Sequence, residues 1–476
     1  ALFDSAVWEP IFQGYDPDGP DDQELLRWLP EQQRRLEVVS EGRRQVHNIW
    51  LMAQQGLDHF SLWLERCRQR GVEGWLTVRM NDCHWVDKPE AHWHSAFWKQ
   101  HPEYRIVTYR DPLGWHEYSL DFTHPEVREH YLRFFRELFE RFDMEGIELD
   151  WMRFGHCLPY GWGRRSGGVI TDFVRQVREL SKICTSRTGR PVRLGVRVPP
   201  EIESCLSLGY DVLEWMDQGL VEQITIGNFL SDHWLDFPIQ TWKAAIGDRP
   251  VTLGVCLYLG ITDPNTGDWM LDTPDVYRGS AGAALVKGAD RIYLFNTCYY
   301  EHDEGSPQDE KLREILTTCG SLDTIAGRGR RHILSFRQTA APGEADLRKI
   351  PVPLRRQSLN LWSRQDQIVL LQFRLGPAPR SPERAFLWLG FDTEALTAEA
   401  EQSGEVLHSA EVWVNGQACR PVSGLQPPQP ATPVAERFLA WEIAPEALAA
   451  GENLVEYNAP EMAGNIVWAE IEIRPT

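Results

Sequence analysis

From about residue 55 to residue 300 the sequence alternates short β-rich runs with longer stretches that carry apolar residues every three to four positions. The short runs end in polar residues. Repeated strand and helix units of this kind build a parallel sheet, because each helix covers one face and returns the chain to the same edge. The pattern therefore predicts an α/β fold, a (β/α)8 barrel of the TIM type.

Eight strands are predicted, the number that a closed barrel of this type requires. The first is followed by a loop rich in Pro, Asp and Gly at residues 10–22, and long loops in barrels are usually functional. The predicted strands cover residues 2–8, 72–79, 117–122, 146–151, 192–198, 223–228, 251–258 and 291–296. The predicted helices cover residues 56–70, 125–142, 171–187, 210–218, 240–246, 274–287 and 310–319.

Helical periodicity disappears near residue 325. Beyond it, alternating runs separated by Pro, Gly and Asn turns predict an antiparallel β-sandwich. The segments AEVWVNGQ and WEIAPEALAAGENLVEY resemble the jelly-roll modules that flank many glycosidase barrels. We therefore expect a barrel catalytic domain over residues 1–325 and an accessory, jelly-roll-like sandwich domain over residues 326–476.

The formal net charge of −20 disfavours a nucleic-acid or anionic-membrane partner, since no basic stripe exists to pair with phosphates. No apolar run approaches the roughly 20 residues that span a bilayer. The nine cysteines are scattered singly, a pattern typical of buried thiols and of a reducing compartment. No cofactor is expected, and a homo-oligomer remains compatible with the sequence.

Catalytic groups of such barrels project from the C-terminal ends of the strands. Polar residues that end or follow the predicted strands are therefore the candidates for the site: Asp4, Arg79, Asn81, Asp82, His84, Asp121, Asp150, Arg153, Arg197, Asn228 and Asn296.

The densest cluster is RMNDCHW, which follows the second predicted strand. Asn81 and Asp82 have two interpretations, as site residues or as an Asx turn that caps the loop. A histidine at a strand end, here His84, titrates near neutral pH and acts as a general acid or base. His92 and His94 lie nearby in a Trp-rich loop without a regular ligand pattern, so no metal site is predicted.

The fourth predicted strand carries EGIELDWMRFG, in which Glu148 and Asp150 share one face. Asp150 has two interpretations, catalysis or a buried ion pair that orients Arg153 or Arg197. Arg79, Arg153 and Arg197 follow three different strands, and guanidinium groups pair bidentately with carboxylate or sulfate. Three arginines at one edge favour a negatively charged sugar over a neutral one.

RMNDCH and LFNTC, together with the two-domain layout, resemble the exo-sialidases of glycoside hydrolase family 156. The resemblance implies Asp4 and His84 as catalytic residues. Arg79, Asn296 and Arg153 would surround the sialic-acid carboxylate. If the first strand is absent, Asp16 or Asp82 is the substitute for Asp4. Asn81, Asp82, Asp150 and Arg197 complete the expected substrate-binding set.

The resemblance also implies hydrolysis of terminal sialic acid from glycans with inversion, which needs a general base and a general acid on opposite faces of the sugar. Two alternatives stay open. One is a glycosidase for another acidic glycan, containing uronic acid or sulfate, that uses Asp150 with Asp82 or Asp121. The other is a glycan-binding protein without catalysis.

Overall fold

The structure is a computed structural model that describes residues 1–37, 42–152, 155–228, 234–258, 260–271, 273–296, 307–335, 349–353, 368–392, 410–458 and 464–475. The helices are α1 (Arg43–Gln54), α2 (His59–Gln69), α3 (Ala96–Gln100), α4 (Pro125–Arg141), α5 (Gly163–Ser166), α6 (Gly168–Thr188), α7 (Ile202–Leu208), α8 (Val212–Asp217), α9 (Ile239–Ile246), α10 (Pro274–Val286), α11 (Pro307–Thr318) and α12 (Leu322–Ile325).

The strands fall into parallel and antiparallel groups. The parallel strands are β1 (Trp75–Arg79), β2 (Gly146–Asp150), β3 (Arg193–Val198), β4 (Gln223–Ile226), β5 (Thr252–Leu257) and β8 (Arg291–Leu294). The others are β6 (Gly260–Thr262), β7 (Trp269–Leu271), β9 (Arg330–Ile333), β10 (Val352–Pro353), β11 (Ile368–Leu375), β12 (Arg384–Phe391), β13 (Glu411–Val414), β14 (Gln417–Ala418), β15 (Arg420–Val422), β16 (Arg437–Ile443), β17 (Gly451–Asn458) and β18 (Asn465–Arg474).

The parallel strands form one six-stranded sheet in the order β1-β2-β3-β4-β5-β8. Each coincides with a predicted strand, so six of the eight predictions are confirmed. A closed eight-stranded barrel is not confirmed, because the described residues supply six strands. The protein is thus a mixed α/β molecule with a parallel sheet and additional antiparallel sheets.

The strand predicted at residues 2–8 is wrong. Phe3 packs against Phe60, Phe134 and Phe142, and Trp8 stacks on Phe134 with ring centroids 3.9 Å apart. The apolar side chains of this segment therefore dock on helices instead of alternating across a sheet.

The strand predicted at residues 117–122 is also wrong, because a 3-10 helix occupies Trp115–Tyr118. Glu117 is buried there and accepts two hydrogen bonds from Arg110, each 2.7 Å long. A bidentate ion pair within the loop replaces the expected ladder of backbone hydrogen bonds.

The registers of β1, β2 and β3 explain where polar side chains lie. Apolar residues alternate with polar ones along each strand, as the period of two requires. Thr77 aligns with Glu148 and Gly195, and two residues later Arg79 aligns with Asp150 and Arg197. The three strands consequently bring one row of charged residues to their C-terminal ends.

The chain divides into two compact units. Among the described residues, the first comprises those within 1–224 and 248–251, and the second comprises those within 225–247 and 252–475. In the first, α4 begins with proline at its first position and buries Val127, Phe135 and Leu138. Helix α6 ends at Gly189, which adopts the left-handed conformation at φ 72°.

The second unit contains two antiparallel sheets. Their strand orders are β10-β18-β12-β16-β15, with β9 pairing β18, and β11-β17-β13-β14. Buried residues from both sheets, including Phe373, Leu387 and Val455, form one core cluster. The antiparallel sheets predicted after residue 325 are present, whereas the division into 1–325 and 326–476 stays a prediction. No helix in the described ranges is long and apolar enough to cross a bilayer.

Candidate functional site

Arg79, Asp82 and His84 form a charged cluster at the C-terminal end of β1. The His84 ring atom Nδ1 lies 2.5 Å from Asp82 Oδ1, and the His84 backbone N–H donates to the same oxygen at 2.9 Å. Arg79 Nη1 donates to the other oxygen, Oδ2, at 3.0 Å. The Asp82 carboxylate therefore fixes the position of both the imidazole and the guanidinium group.

Opposing effects act on the Asp82 carboxyl group. Burial raises its pKa, but the hydrogen bonds from the His84 side chain and backbone and the charge of Arg79 lower it more, so the pKa lies well below its usual range. Asp82 is a carboxylate at neutral pH. The side chains of His84 and Asp82 are 35% and 41% exposed, so a ligand can reach the cluster from solvent.

The backbone next to this cluster is strained. Trp85 has a φ of 59°, a conformation that a bulky side chain rarely adopts. Such strain costs about 1–3 kcal/mol and is concentrated at functional sites. The strained residue directly follows His84.

The Asn81 side chain is buried and forms hydrogen bonds with two loops. Its Nδ2 donates to the backbone carbonyls of Leu120 and His156 at 2.9 and 3.0 Å, and its Oδ1 accepts from the backbone N–H of Leu120 at 2.9 Å. The residue is 3% exposed. Its amide thus joins the loop after β1 to the loop after β2 beside the cluster, and a role in substrate binding stays a prediction.

Asp150 and Arg197 form a buried bidentate ion pair. Arg197 Nε and Nη2 donate to the two Asp150 oxygens, each at 2.9 Å, and both side chains are 1% exposed. Met152 N–H also donates to Asp150 at 3.1 Å. Of the two interpretations that the sequence left open for Asp150, this geometry favours the supporting ion pair.

Asp121 also serves the scaffold. It is buried, and its Oδ1 accepts a hydrogen bond of 2.8 Å from the backbone N–H of Thr123, just before α4 begins. Two of the carboxylates proposed for the alternative glycosidase therefore support structure.

Asp4 lies away from the charged cluster. Its backbone carbonyl accepts a hydrogen bond from Arg141, the last residue of α4. Shortly after Arg141 the chain reaches Gly146, which begins β2 and pairs with the first residue of β1. Arg79 is the last residue of β1 and therefore lies at the opposite end of that strand. The structure thus places Asp4 toward the beginning of the strands and Asp82 beside His84.

Three predicted residues remain, namely Asn296, Asn228 and Arg153. Asn296, at φ 56°, belongs to the second unit and donates a hydrogen bond of 3.2 Å to the Tyr258 hydroxyl. Asn228 also belongs to that unit and is buried. Arg153 lies outside the described residues.

Three histidines near the cluster have separate partners. His84 pairs with Asp82, His92 accepts a hydrogen bond from Trp28 Nε1 at 3.0 Å, and His94 lies 2.9 Å from the Trp85 carbonyl. Across the described part of the chain, no three His, Cys, Asp or Glu side chains are arranged to hold a metal ion. The chemistry available here is proton transfer by an oriented imidazole beside a guanidinium group.

Sequence reasoning missed two aromatic groups around the cluster. The Trp85 shelf consists of Trp28, Trp85, His92 and Lys88, with the Lys88 ammonium 4.9 Å from the Trp85 ring centroid. The His116 cluster consists of Trp115, His116, His156 and Tyr160, whose ring centroids lie 5.1–5.9 Å apart in contacting pairs. High tryptophan content was the available signal, but it does not separate core from surface.

No family model matches the chain, and no curated protein matches it. The chain is similar to a cycloisomaltooligosaccharide glucanotransferase from Paenibacillus sp. at 8% identity, covering 87% of this chain and 47% of that one, with a TM-score of 0.27. It is also similar to the galactosidase domain of an alpha-galactosidase-sucrose kinase at 14% identity, covering 82% and 46%, with a TM-score of 0.29.

A third similar structure is a class V chitinase from Pseudomonas fluorescens Pf-5, at 11% identity, covering 58% of this chain and 86% of that one, with a TM-score of 0.33. This chain spans about half the length of the first two structures. At these TM-scores the likeness carries no argument about activity. The functional conclusion rests on the residues of the site.

Proposed function

We propose that the chain is a glycoside hydrolase that releases a terminal acidic sugar from glycans, and that this sugar is sialic acid. The observation that carries the proposal is the Arg79–Asp82–His84 cluster at the end of β1, next to a strained tryptophan. An oriented imidazole supplies proton transfer, and a solvent-accessible guanidinium supplies a partner for a sugar carboxylate.

The substrate chemistry fits these groups. A sialoside carries a carboxylate on its anomeric carbon, so its transition state has cationic ring character beside a fixed negative charge. One nitrogen of Arg79 is held by Asp82, and 34% of the Arg79 side chain is exposed. Asp82 therefore orients the guanidinium before a ligand binds, and a carboxylate can still reach it. This pre-orientation lowers the entropy lost on binding.

In this mechanism His84 acts as the general base and Asp82 takes the place expected for Asp4. A water molecule adds to the anomeric carbon and gives its proton to the His84 imidazole. The bond from that carbon to the aglycone oxygen breaks with its electron pair on the oxygen, which takes a proton from solvent, and the imidazolium later returns its proton to solvent, so that one water is consumed in total. The Asp82 carboxylate stabilises the imidazolium ion that forms. Attack by water on the opposite face inverts the configuration.

The test is a proton NMR time course of the protein with an α-sialoside, run beside His84→Ala and Asp82→Asn. We expect β-sialic acid to appear first with the parent, no product with His84→Ala, and a rate lower by at least about 100-fold with Asp82→Asn. His101→Ala is the matched control, because His101 also pairs with a carboxylate two residues away, Glu103, in the same loop.

Release of α-sialic acid first, or full activity of His84→Ala, would contradict this mechanism. If the parent releases no sialic acid at all, the same proteins are to be assayed with uronic-acid and sulfated glycans. The buried pairing of Asp150 argues against using it as the working carboxylate for those substrates. Binding without turnover would support the non-catalytic alternative.

A further inference from the structure

Exposed aromatic side chains in the first unit are concentrated in the loops that follow β1 and β2. In the described residues of that unit, Trp63 on α2 is the exception among exposed large aromatics. The others all belong to residues 80–124 or 151–162, the loops at the C-terminal edge of the sheet: Trp85, Trp93, Tyr109, Trp115 and Trp162.

An exposed indole loses solvation only when a partner covers it. A flat indole face suits a sugar ring, because the C–H groups of the sugar pack on the aromatic surface. Trp115 is 41% exposed and contacts the His116 ring edge-on at 5.2 Å. His116 packs on His156, which in turn contacts Tyr160. Trp115 is therefore an exposed ring that packs against the other rings of the His116 cluster.

The His116 cluster is tied to the charged cluster through Asn81. The Asn81 amide donates to the His156 carbonyl at 3.0 Å, and Asn81 directly precedes Asp82 in the chain. A second link joins Cys83 Sγ to Ser119 Oγ at 2.9 Å. The two clusters consequently occupy adjacent parts of the same edge.

Charge distinguishes the two clusters. Beside His84, the Asp82 carboxylate balances the charge of Arg79, and Lys88 supplies a further positive charge. Around Trp115, burial lowers the pKa of His116, and burial together with the neighbouring His116 ring lowers the pKa of His156 to about 4. These imidazoles are uncharged at neutral pH, and Arg110 is neutralised by Glu117. The chemistry of the His116 cluster suits a neutral sugar.

We propose that Trp115 and the His116 cluster bind the neutral sugar adjoining the terminal acidic residue, so that the substrate is an oligosaccharide chain and not a small glycoside. This proposal rests on the proposed function. The acidic terminal sugar occupies the charged cluster and the next sugar stacks on Trp115. The energy of that contact appears as faster turnover of the longer substrate, since it orients the bond that is cleaved.

The experiment compares kcat/KM for methyl α-sialoside and α-2,3-sialyllactose in the parent, Trp115→Ala, Trp115→Phe and Trp63→Ala. We expect the ratio of sialyllactose to methyl sialoside to fall about tenfold in Trp115→Ala, because a central tryptophan contact is commonly worth more than 1 kcal/mol. In Trp115→Phe, which keeps a smaller aromatic ring, this ratio should lie between those of Trp115→Ala and the parent. Trp63→Ala removes an exposed indole from α2, outside the loops that follow β1 and β2, and should keep the parent ratio.

An unchanged ratio in a Trp115→Ala protein whose circular dichroism matches the parent would overturn the proposal. Saturation-transfer NMR with lactose separates it from the proposed function, because lactose binding needs no hydrolysis. If no protein cleaves a sialoside, loss of the lactose signals in Trp115→Ala but not in Trp63→Ala supports the lactose site alone. Absent lactose signals in the parent, or equal signals in all proteins, overturn it.

Discussion

Breaking the Asp150–Arg197 pair is expected to be among the most destabilising single changes in the first unit. The two side chains are 1% exposed and joined by two hydrogen bonds of 2.9 Å. Asp150→Ala leaves a guanidinium group buried without its carboxylate. Removal of one partner from a buried ion pair costs about 3–5 kcal/mol of the free energy of unfolding, because the remaining charge stays buried without the opposite charge that balanced it.

A double-mutant cycle measures this coupling. Asp150→Ala, Arg197→Met and the double variant are to be unfolded in urea, with tryptophan fluorescence as the probe. We expect each single variant to lose about 3–5 kcal/mol and the double variant to lose less than the sum by at least about 2 kcal/mol. Replacing Glu179 and Lys182, a largely exposed ion pair on α6, gives the control cycle, in which less than about 1 kcal/mol is expected.

Additive losses in the first cycle, with a coupling below about 0.5 kcal/mol, would refute the reasoning, since they would mean that the two charges are solvated independently. A second measurement, kcat/KM on a sialoside, tests whether the pair supports Arg79, its neighbour in the same row of the sheet. We expect the double variant to have lower kcat/KM than the parent, even though its loss of stability is smaller than the sum of the two single losses.

The remaining predictions concern the loop after β1. Asp82→Asn should lower the urea midpoint at pH 7, because the ionised carboxylate is stabilised in the folded protein. The difference in midpoint from the parent should narrow as the pH falls below about 4, since the unfolded chain then binds a proton at Asp82 that the folded protein does not bind. Urea titrations at pH 7 and pH 3 check this, and a constant difference would contradict it. Asn81→Ala removes three hydrogen bonds to the backbone groups of Leu120 and His156. This change should lower the free energy of unfolding by about 2–4 kcal/mol. Equal hydrogen-exchange protection at Leu120 in the parent and the Asn81 variant would show that the amide is not the anchor.

The parallel strands were predictable because their signal is local. Apolar residues recur with a period of two in segments such as β3, and the side chains at the strand ends follow from that period. The 2–8 segment has a similar pattern for another reason, since Phe3 and Trp8 fill gaps between helices. A pattern of burial does not identify the surface against which the residues are buried.

The candidate site was predictable in part. The segment after β1 was identified from its density of polar residues, and Asp82 was the stated substitute for Asp4 if the first strand failed. The sequence did not decide whether Asp150 was catalytic or paired, because the answer depends on Arg197, 47 residues later in the chain. Long-range contacts of this kind carry no local signature.

Three of the hydrogen bonds of the Asn81 side chain go to backbone atoms of the neighbouring loops, and a longer one of 3.6 Å goes to Cys157 Sγ. A backbone amide or carbonyl is present whatever side chain its residue carries. The side chains at positions such as Trp115 or Trp162 can therefore be exchanged while the loops keep their attachment. Libraries randomised at these positions, with Asn81 kept constant, should yield folded variants with changed glycan preference at a higher frequency than libraries that include Asn81.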